Sequence, residues 1–201
     1  MPGSAPRFWK ISHTNSAAVQ VAFLDQFADL SAYDGMLPMP HAQVKQKVGV
    51  VTPDVLVAEE GITFLRGMLD GRHPRAPYSE TMDIDLAEAE EGKVVFVGKP
   101  SARFLNPVGS IQGGWAATIL DGAMAHCVHT TLKAGENYTT LEMKINFVRP
   151  VLPSIERVRC EARVIHRGNR TATSEGYLYD GRGKLLAHGS ETCIILPASG
   201  S

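Results

Sequence analysis

The spacing of apolar positions changes period along the chain, and each change marks a different kind of element. Between residues 59 and 69, Ile62, Leu65, Met68 and Leu69 recur at helical spacing, and Gly71, Pro74 and Pro77 stop the pattern. A short docking helix is predicted there. Over residues 81–87 the period falls to two, with Met82, Ile84 and Leu86 alternating, and a second run at 93–97 follows the Glu91-Gly92 turn. These two runs are expected to pair as a hairpin. A loop rich in Gly, Pro and Asn at residues 106–114 then leads into 115–132, where Trp115, Ala116, Ala117, Ile119, Leu120, Ala123, Met124, Cys127 and Val128 leave almost no polar face. Such a helix is buried on most sides.

Four strand-like runs follow at 138–148, 157–165, 170–179 and 184–195. In the first, Leu141, Met143, Ile145 and Phe147 alternate with Glu142, Lys144 and Asn146; in the second, Val158, Cys160, Ala162 and Val164 alternate with Arg159, Glu161 and Arg163. One face of the sheet is therefore wet. The turns at 167–170 and 180–183 carry the Gly and Asn residues that accept positive φ, which predicts an antiparallel meander. One nearly all-apolar helix and about six antiparallel strands give an α+β chain, solved most simply by a curved sheet wrapping its dry face round the helix. That is the hotdog arrangement; an ordinary α+β sandwich satisfies the same pattern. The domain is expected over 59–196, behind a poorly ordered or variable extension at 1–58 that Pro38, Pro40, Gly49 and Pro53 punctuate.

Composition narrows the function classes. With 44% hydrophobic and 20% charged residues in 201 positions, one well-covered core is expected. A formal net charge of −1 supplies no field for nucleic acid or an acidic membrane surface. No apolar run reaches the roughly eighteen residues of a membrane span. Cys127, Cys160 and Cys193 are odd in number and lack metal-ligand spacing, so they read as buried thiols in a reducing compartment, and a cytoplasmic protein is expected. The run at 17–24 loosely imitates a signal peptide, but Gln20 and Asp25 break it. His126 and His129 lie three apart on the helix without a third ligand in view, so no metal is expected.

Asp121 is the residue that the periodicity leaves unexplained. It lies eight positions after Gly113, too deep in the helix for an N-cap or a first-turn dipole partner. A buried carboxylate there costs free energy unless it is paired or used. Backbone donors of a neighbouring strand could satisfy it; equally, it could be a reacting group. The Gly113-Gly114 pair at the helix start leaves N–H groups with no side chains in front of them, a ready oxyanion site as well as a common turn device. An oxyanion site and a carboxylate are the two parts that thioester hydrolysis requires.

The run Asn106-Pro107-Val108-Gly109-Ser110-Ile111-Gln112-Gly113-Gly114 followed by Asp121 resembles the signature of the phenylacetate-degradation-type hotdog thioesterases. Leu141-Glu142-Met143-Lys144-Ile145-Asn146-Phe147-Val148-Arg149-Pro150 resembles it as well, as do the Gly-turn strands from His166 to Ile195. The resemblance covers roughly residues 60–196. It implies that Asp121 is the general base or nucleophile, that the Gly113 amide polarises the thioester carbonyl, and that Asn106 helps to place carbonyl or water. It matches Thr140, or its neighbour Thr139, to a hydroxyl that positions water. It also implies a homodimer or homotetramer whose active sites are shared between subunits. Gln112 stands where most relatives carry His; it can orient a carbonyl, or bond to the backbone as a plain loop amide, but it cannot change charge near neutral pH.

The expected activity is hydrolysis of an acyl-coenzyme A thioester, with coenzyme A entering as part of the substrate and no separate cofactor. Arg149, Arg167 and Arg170 are the candidate partners for its phosphates, or ordinary solvated turn charges. A hotdog enoyl-CoA hydratase or dehydratase is the enzymatic rival, and Gln112 removes its most obvious His. A non-catalytic acyl-CoA-binding module is the other rival, and Asp121 argues against it.

Overall fold

A computed structural model of the chain describes residues 47–197. The elements are helices α1 (Pro53–Val57), α2 (Gly61–Leu69) and α3 (Pro77–Met82), strands β1 (Ile84–Glu90) and β2 (Lys93–Gly98), a 3-10 turn at Ala102–Phe104, the long helix α4 (Gly113–His129), and strands β3 (Glu136–Phe147), β4 (Val158–Arg167), β5 (Thr171–Asp180) and β6 (Leu185–Pro197). The strands form one antiparallel sheet in the order β1-β2-β4-β5-β6-β3. Only β4-β5-β6 run as a meander; β3 reaches the far edge because α4 carries the chain across the sheet between β2 and β3. This is the hotdog arrangement, with α4 lying on the inner face of the curved sheet.

Burial explains why α4 settles there. Trp115, Ile119, Leu120, Ala123, Met124, Cys127 and Val128 are buried and pack with Phe96, Val158, Cys160, Ala172 and Leu178 of the sheet. The indole N–H of Trp115 donates to the Met82 carbonyl at 2.8 Å, which satisfies the one polar atom of that side chain. Helix and sheet approach so closely that a Cβ on Gly176 would lie 2.8 Å from Met124. A glycine is required at that point of contact.

Two expectations need correction. The strand expected at 81–87 begins only at Ile84, because Pro77 opens α3 at its first turn and Asp83, at φ 53°, closes it in the left-handed region. The alternation of Met82 with Ile84 and Leu86 therefore spans a helix end and a strand start. The second correction concerns β3. Its ladder with β6 skips Leu141, since Thr140 pairs with Cys193 and Glu142 with Thr192. This bulge breaks the period of two, so Leu141, 60% exposed, does not share a face with Met143 and Ile145, and Thr140 turns inward instead.

Within residues 1–58, only 47–58 are described, and α1 and an isolated bridge between Val48 and Arg75 fall there. The remainder of the expected extension lies outside the described residues. Among the described residues no helix is long and apolar enough to cross a membrane.

Candidate functional site

The loop before α4 is held by its own polar groups. Asn106 accepts from the amides of Val108 and Ser110 through Oδ1, at 3.1 and 3.2 Å, and donates to Ser110 Oγ through Nδ2 at 2.8 Å. Its side chain is thus a brace of the 106–110 turn. The Ile111 and Gln112 amides donate to the carbonyls of Val151 and Phe104, which pins the loop from both sides. Gln112 occupies the N-cap position of α4 with an exposed side chain that makes no capping bond. Among the described residues, the amides of Gly113 and Gly114 donate to no carbonyl, so the helix begins with unclaimed donors. The Phe147 ring lies against Gly113, where a Cβ would come within 3.3 Å of it.

Asp121 lies two turns further along α4, half-buried, and its carboxylate has no hydrogen-bond or ion-pair partner among the described residues. The backbone satisfaction that would make it an inert core residue is therefore missing. Burial holds its carboxyl above the usual aspartate range. Its charge is felt by Tyr78, Tyr138 and Glu191, whose ionisations are all raised, first by burial and then in part by Asp121. Eight residues at 1.5 Å of rise place Gly113 about 12 Å from Asp121 along the helix. A single carbonyl cannot touch both groups of one chain.

Thr140 faces inward through the β3 bulge and donates its hydroxyl to Glu191 Oε1 at 2.7 Å, and Glu191 in turn feels the Asp121 charge. Thr139, the alternative hydroxyl, points to the opposite face of the strand. Glu191 was not foreseen from the sequence. It is 2% exposed, it receives the Cys193 thiol at 3.2 Å, and its Oε2 is buried without a partner. Burial pushes its carboxyl up to about 7. The available signal was its phase in β6, where Ala187, Gly189, Glu191, Cys193 and Ile195 are all buried and only Glu191 is charged.

The three candidate phosphate partners are scattered. Arg149 donates to the Leu185 carbonyl at 2.6 Å, and Arg167 pairs with Glu136 at 2.7 Å. They stand at opposite ends of β3, roughly 36 Å apart along the strand, so in one chain they cannot serve the same phosphate. Arg170, in the β4-β5 turn, is exposed, and its guanidinium has no partner among the described residues. His126 bonds to the Gly122 carbonyl at 2.7 Å, and His129 stacks on Phe64; burial pushes them down to about 4 and about 3. Both are neutral core residues at physiological pH. No described group of His, Cys, Asp and Glu is arranged to hold a metal ion. All three cysteines are free and buried.

Residues 108–187 match the thioesterase superfamily. The fold is shared with a thioesterase-like, phenylacetic acid degradation-related protein of Ralstonia eutropha, at 30% identity and a TM-score of 0.60, over 65% of this chain and 98% of that one. A conserved protein of Pseudomonas aeruginosa is similar at 30% identity and a TM-score of 0.57, over 61% of this chain and 95% of that one. A point mutant of the phenylacetic acid degradation protein PaaI of Thermus thermophilus is similar at 25% identity and a TM-score of 0.53, over 59% of this chain and 97% of that one. No curated protein matches the sequence.

Proposed function

Because the chain belongs to the thioesterase superfamily, as a phenylacetate-degradation-type hotdog protein, we propose that it hydrolyses acyl-coenzyme A to a free acid and coenzyme A with Asp121 as the acting carboxylate. The observation that carries this reading is the unpartnered, half-buried carboxylate of Asp121 in the middle of an apolar helix. A group in that state is costly to keep and is suited to taking a proton.

In the proposed reaction a water beside Asp121 gives its proton to Oδ as its oxygen attacks the thioester carbonyl carbon. The carbonyl oxygen collects negative charge, and the Gly113 amide, reinforced by the positive end of α4, receives it. Collapse breaks the C–S bond, and the departing thiolate takes the proton from Asp121. Direct attack by Asp121, giving a mixed anhydride that water then opens, uses the same placement.

The separation of about 12 Å between Gly113 and Asp121 requires the carbonyl to lie between two copies of the chain, with the loop and Gly113 of one facing Asp121 of the other. The open edge of β3, with Leu141, Phe147 and Val148 exposed, supports a second copy at this edge. In that assembly Asn106 holds the loop, Gln112 orients the carbonyl, and Arg149, Arg167 and Arg170 are available to different phosphates of coenzyme A from different chains. Three free, buried cysteines suit a reducing, cytoplasmic setting.

Release of free thiol from short, medium, long and aryl acyl-CoAs tests the reading. The wild-type protein is expected to release thiol and D121N, folded and assembled as before, is expected to release none. Tight acyl-CoA binding without release would instead indicate a binding module, and hydration of an enoyl-CoA would indicate a hydratase.

A further inference from the structure

We infer that Glu191 is a positioning residue of this site, one that holds the Thr140 hydroxyl so that its oxygen can only accept a hydrogen bond from the water beside Asp121. The inference rests on the hydrolytic reading above and adds a group that neither the family pattern nor the sequence periodicity supplied. A hydroxyl has one proton to give and two lone pairs. With the Thr140 proton committed to Glu191 Oε1 at 2.7 Å, only the lone pairs remain to face outward. A water bound there must donate one hydrogen to Thr140. Its other hydrogen is left for Asp121, and its lone pair for the carbonyl carbon.

Glu191 is built for that task rather than for the core. It is 2% exposed in a run of apolar β6 positions, where a hydrophobic residue would pack without loss. Its Oε1 accepts from both Thr140 and Cys193, while Oε2 is sealed without a partner. Across the β5-β6 ladder stands Ser174, whose buried hydroxyl lies beside the Cys127 thiol and gives Oε2 no hydrogen bond. An unsatisfied carboxyl of this kind is a standing cost that a purely structural residue does not explain. The ionisable groups facing it are Asp121 and Cys127 from α4, Tyr138 from β3 and Cys193 on its own strand. None is a cation that would neutralise it. Because Oε1 accepts whether or not Oε2 carries a proton, the Thr140 orientation survives ionisation of Glu191.

The test is a kinetic cycle on the full-length protein with an acyl-CoA that the wild type cleaves. E191M matches Glu in length but offers Thr140 no oxygen, and kcat is expected to fall at least tenfold with KM within about twofold. E191Q keeps a carbonyl oxygen and is expected to recover most of that rate. T140V should fall as far as E191M, and the double variant T140V/E191M no further than either alone. Multiplicative losses in the double variant would overturn the assignment, as would an E191M protein with wild-type kcat or an E191Q protein as slow as E191M. If E191M does not fold, E191A takes its place in the same cycle. A wild-type protein that cleaves no acyl-CoA overturns the hydrolytic reading itself and this assignment with it, whereas cleavage lost in D121N but kept in E191M overturns the assignment alone.

Discussion

The two ends of the proposed site are made of different materials. At the Gly113 end the working parts are backbone amides on a loop whose side chains, Asn106 and Ser110, satisfy one another, and no group carries a formal charge. At the Asp121 end two carboxyls, two tyrosines and a hydroxyl are crowded together, and the carboxyls are held in states that water would not favour. The first end is preorganised at little cost, since a helix start leaves its donors free in any case. The second stores unfavourable solvation, which proton transfer can draw on. Charge chemistry and dipole chemistry are thereby kept apart along one helix, and in the proposed reaction a second copy of the chain joins them.

The contrast can be broken most severely at Asp121. D121N is expected to reduce kcat by roughly 10²–10⁴-fold, the usual worth of a positioned general base, measured by thiol release under saturating substrate. In the wild type the rate should decline as pH falls through the Asp121 ionisation, and burial places that decline above the range of an exposed aspartate. A pH profile flat down to about pH 4 would count against Asp121 as the base.

Whether the two ends come from different chains is decided by mixing. D121N and G113V, the latter driving a side chain into the Phe147 ring, should each be nearly inactive. Refolded or co-expressed together, half of the dimers are mixed, and each mixed dimer holds one intact site and one doubly damaged site. About one quarter of wild-type activity is then expected, and no recovery at all would place both ends in the same chain.

A smaller effect concerns stability. The Glu191 carboxyl lies at about 7 in the fold against an ordinary 4.5, so the native state favours its protonated form. The sign follows directly: Glu191 is no burden below about pH 4.5, and stability is lost as pH rises toward 7 and the buried group must ionise. Relative to wild type, E191Q should gain on the order of 1–3 kcal/mol between pH 4 and pH 8, read as a difference in Tm that widens by several degrees. A gap that stays constant with pH would show that Glu191 is not buried as a neutral acid. The smallest effect is expected at Arg170, where R170A should raise KM about two- to fivefold with kcat unchanged, as suits an exposed phosphate contact.

Much of this organisation was legible in the sequence because it rests on periodicity. The apolar residues of α4 and the alternation in β4 fix helix, strand and inward face without tertiary information. The boundary at Asp83 was not legible, because a left-handed residue that ends one element and begins another leaves the alternation of Met82, Ile84 and Leu86 intact. Asp121 stood out as a charge in an apolar helix; Glu191 is the same kind of signal in β6, hidden by neighbours such as His188 and Ser190 that make the strand look ordinarily polar on one face. The bulge at Leu141 had no sequence mark at all. It moved Thr140 inward, where strict alternation from Leu141, Met143 and Ile145 would have put it outside.

That bulge also constrains how the chain can change. The extra residue lets even-numbered positions before Leu141 and odd-numbered positions after it face inward, while both halves of β3 stay in step with β6. Loss of Leu141 itself would restore regular pairing and keep Thr140 inward, whereas a residue gained or lost elsewhere in the strand would rotate one part of it relative to β6. Insertions and deletions that are harmless in the turns at 167–170 or 180–183 should therefore be absent from residues 138–145, Leu141 excepted, in functional descendants of this sequence.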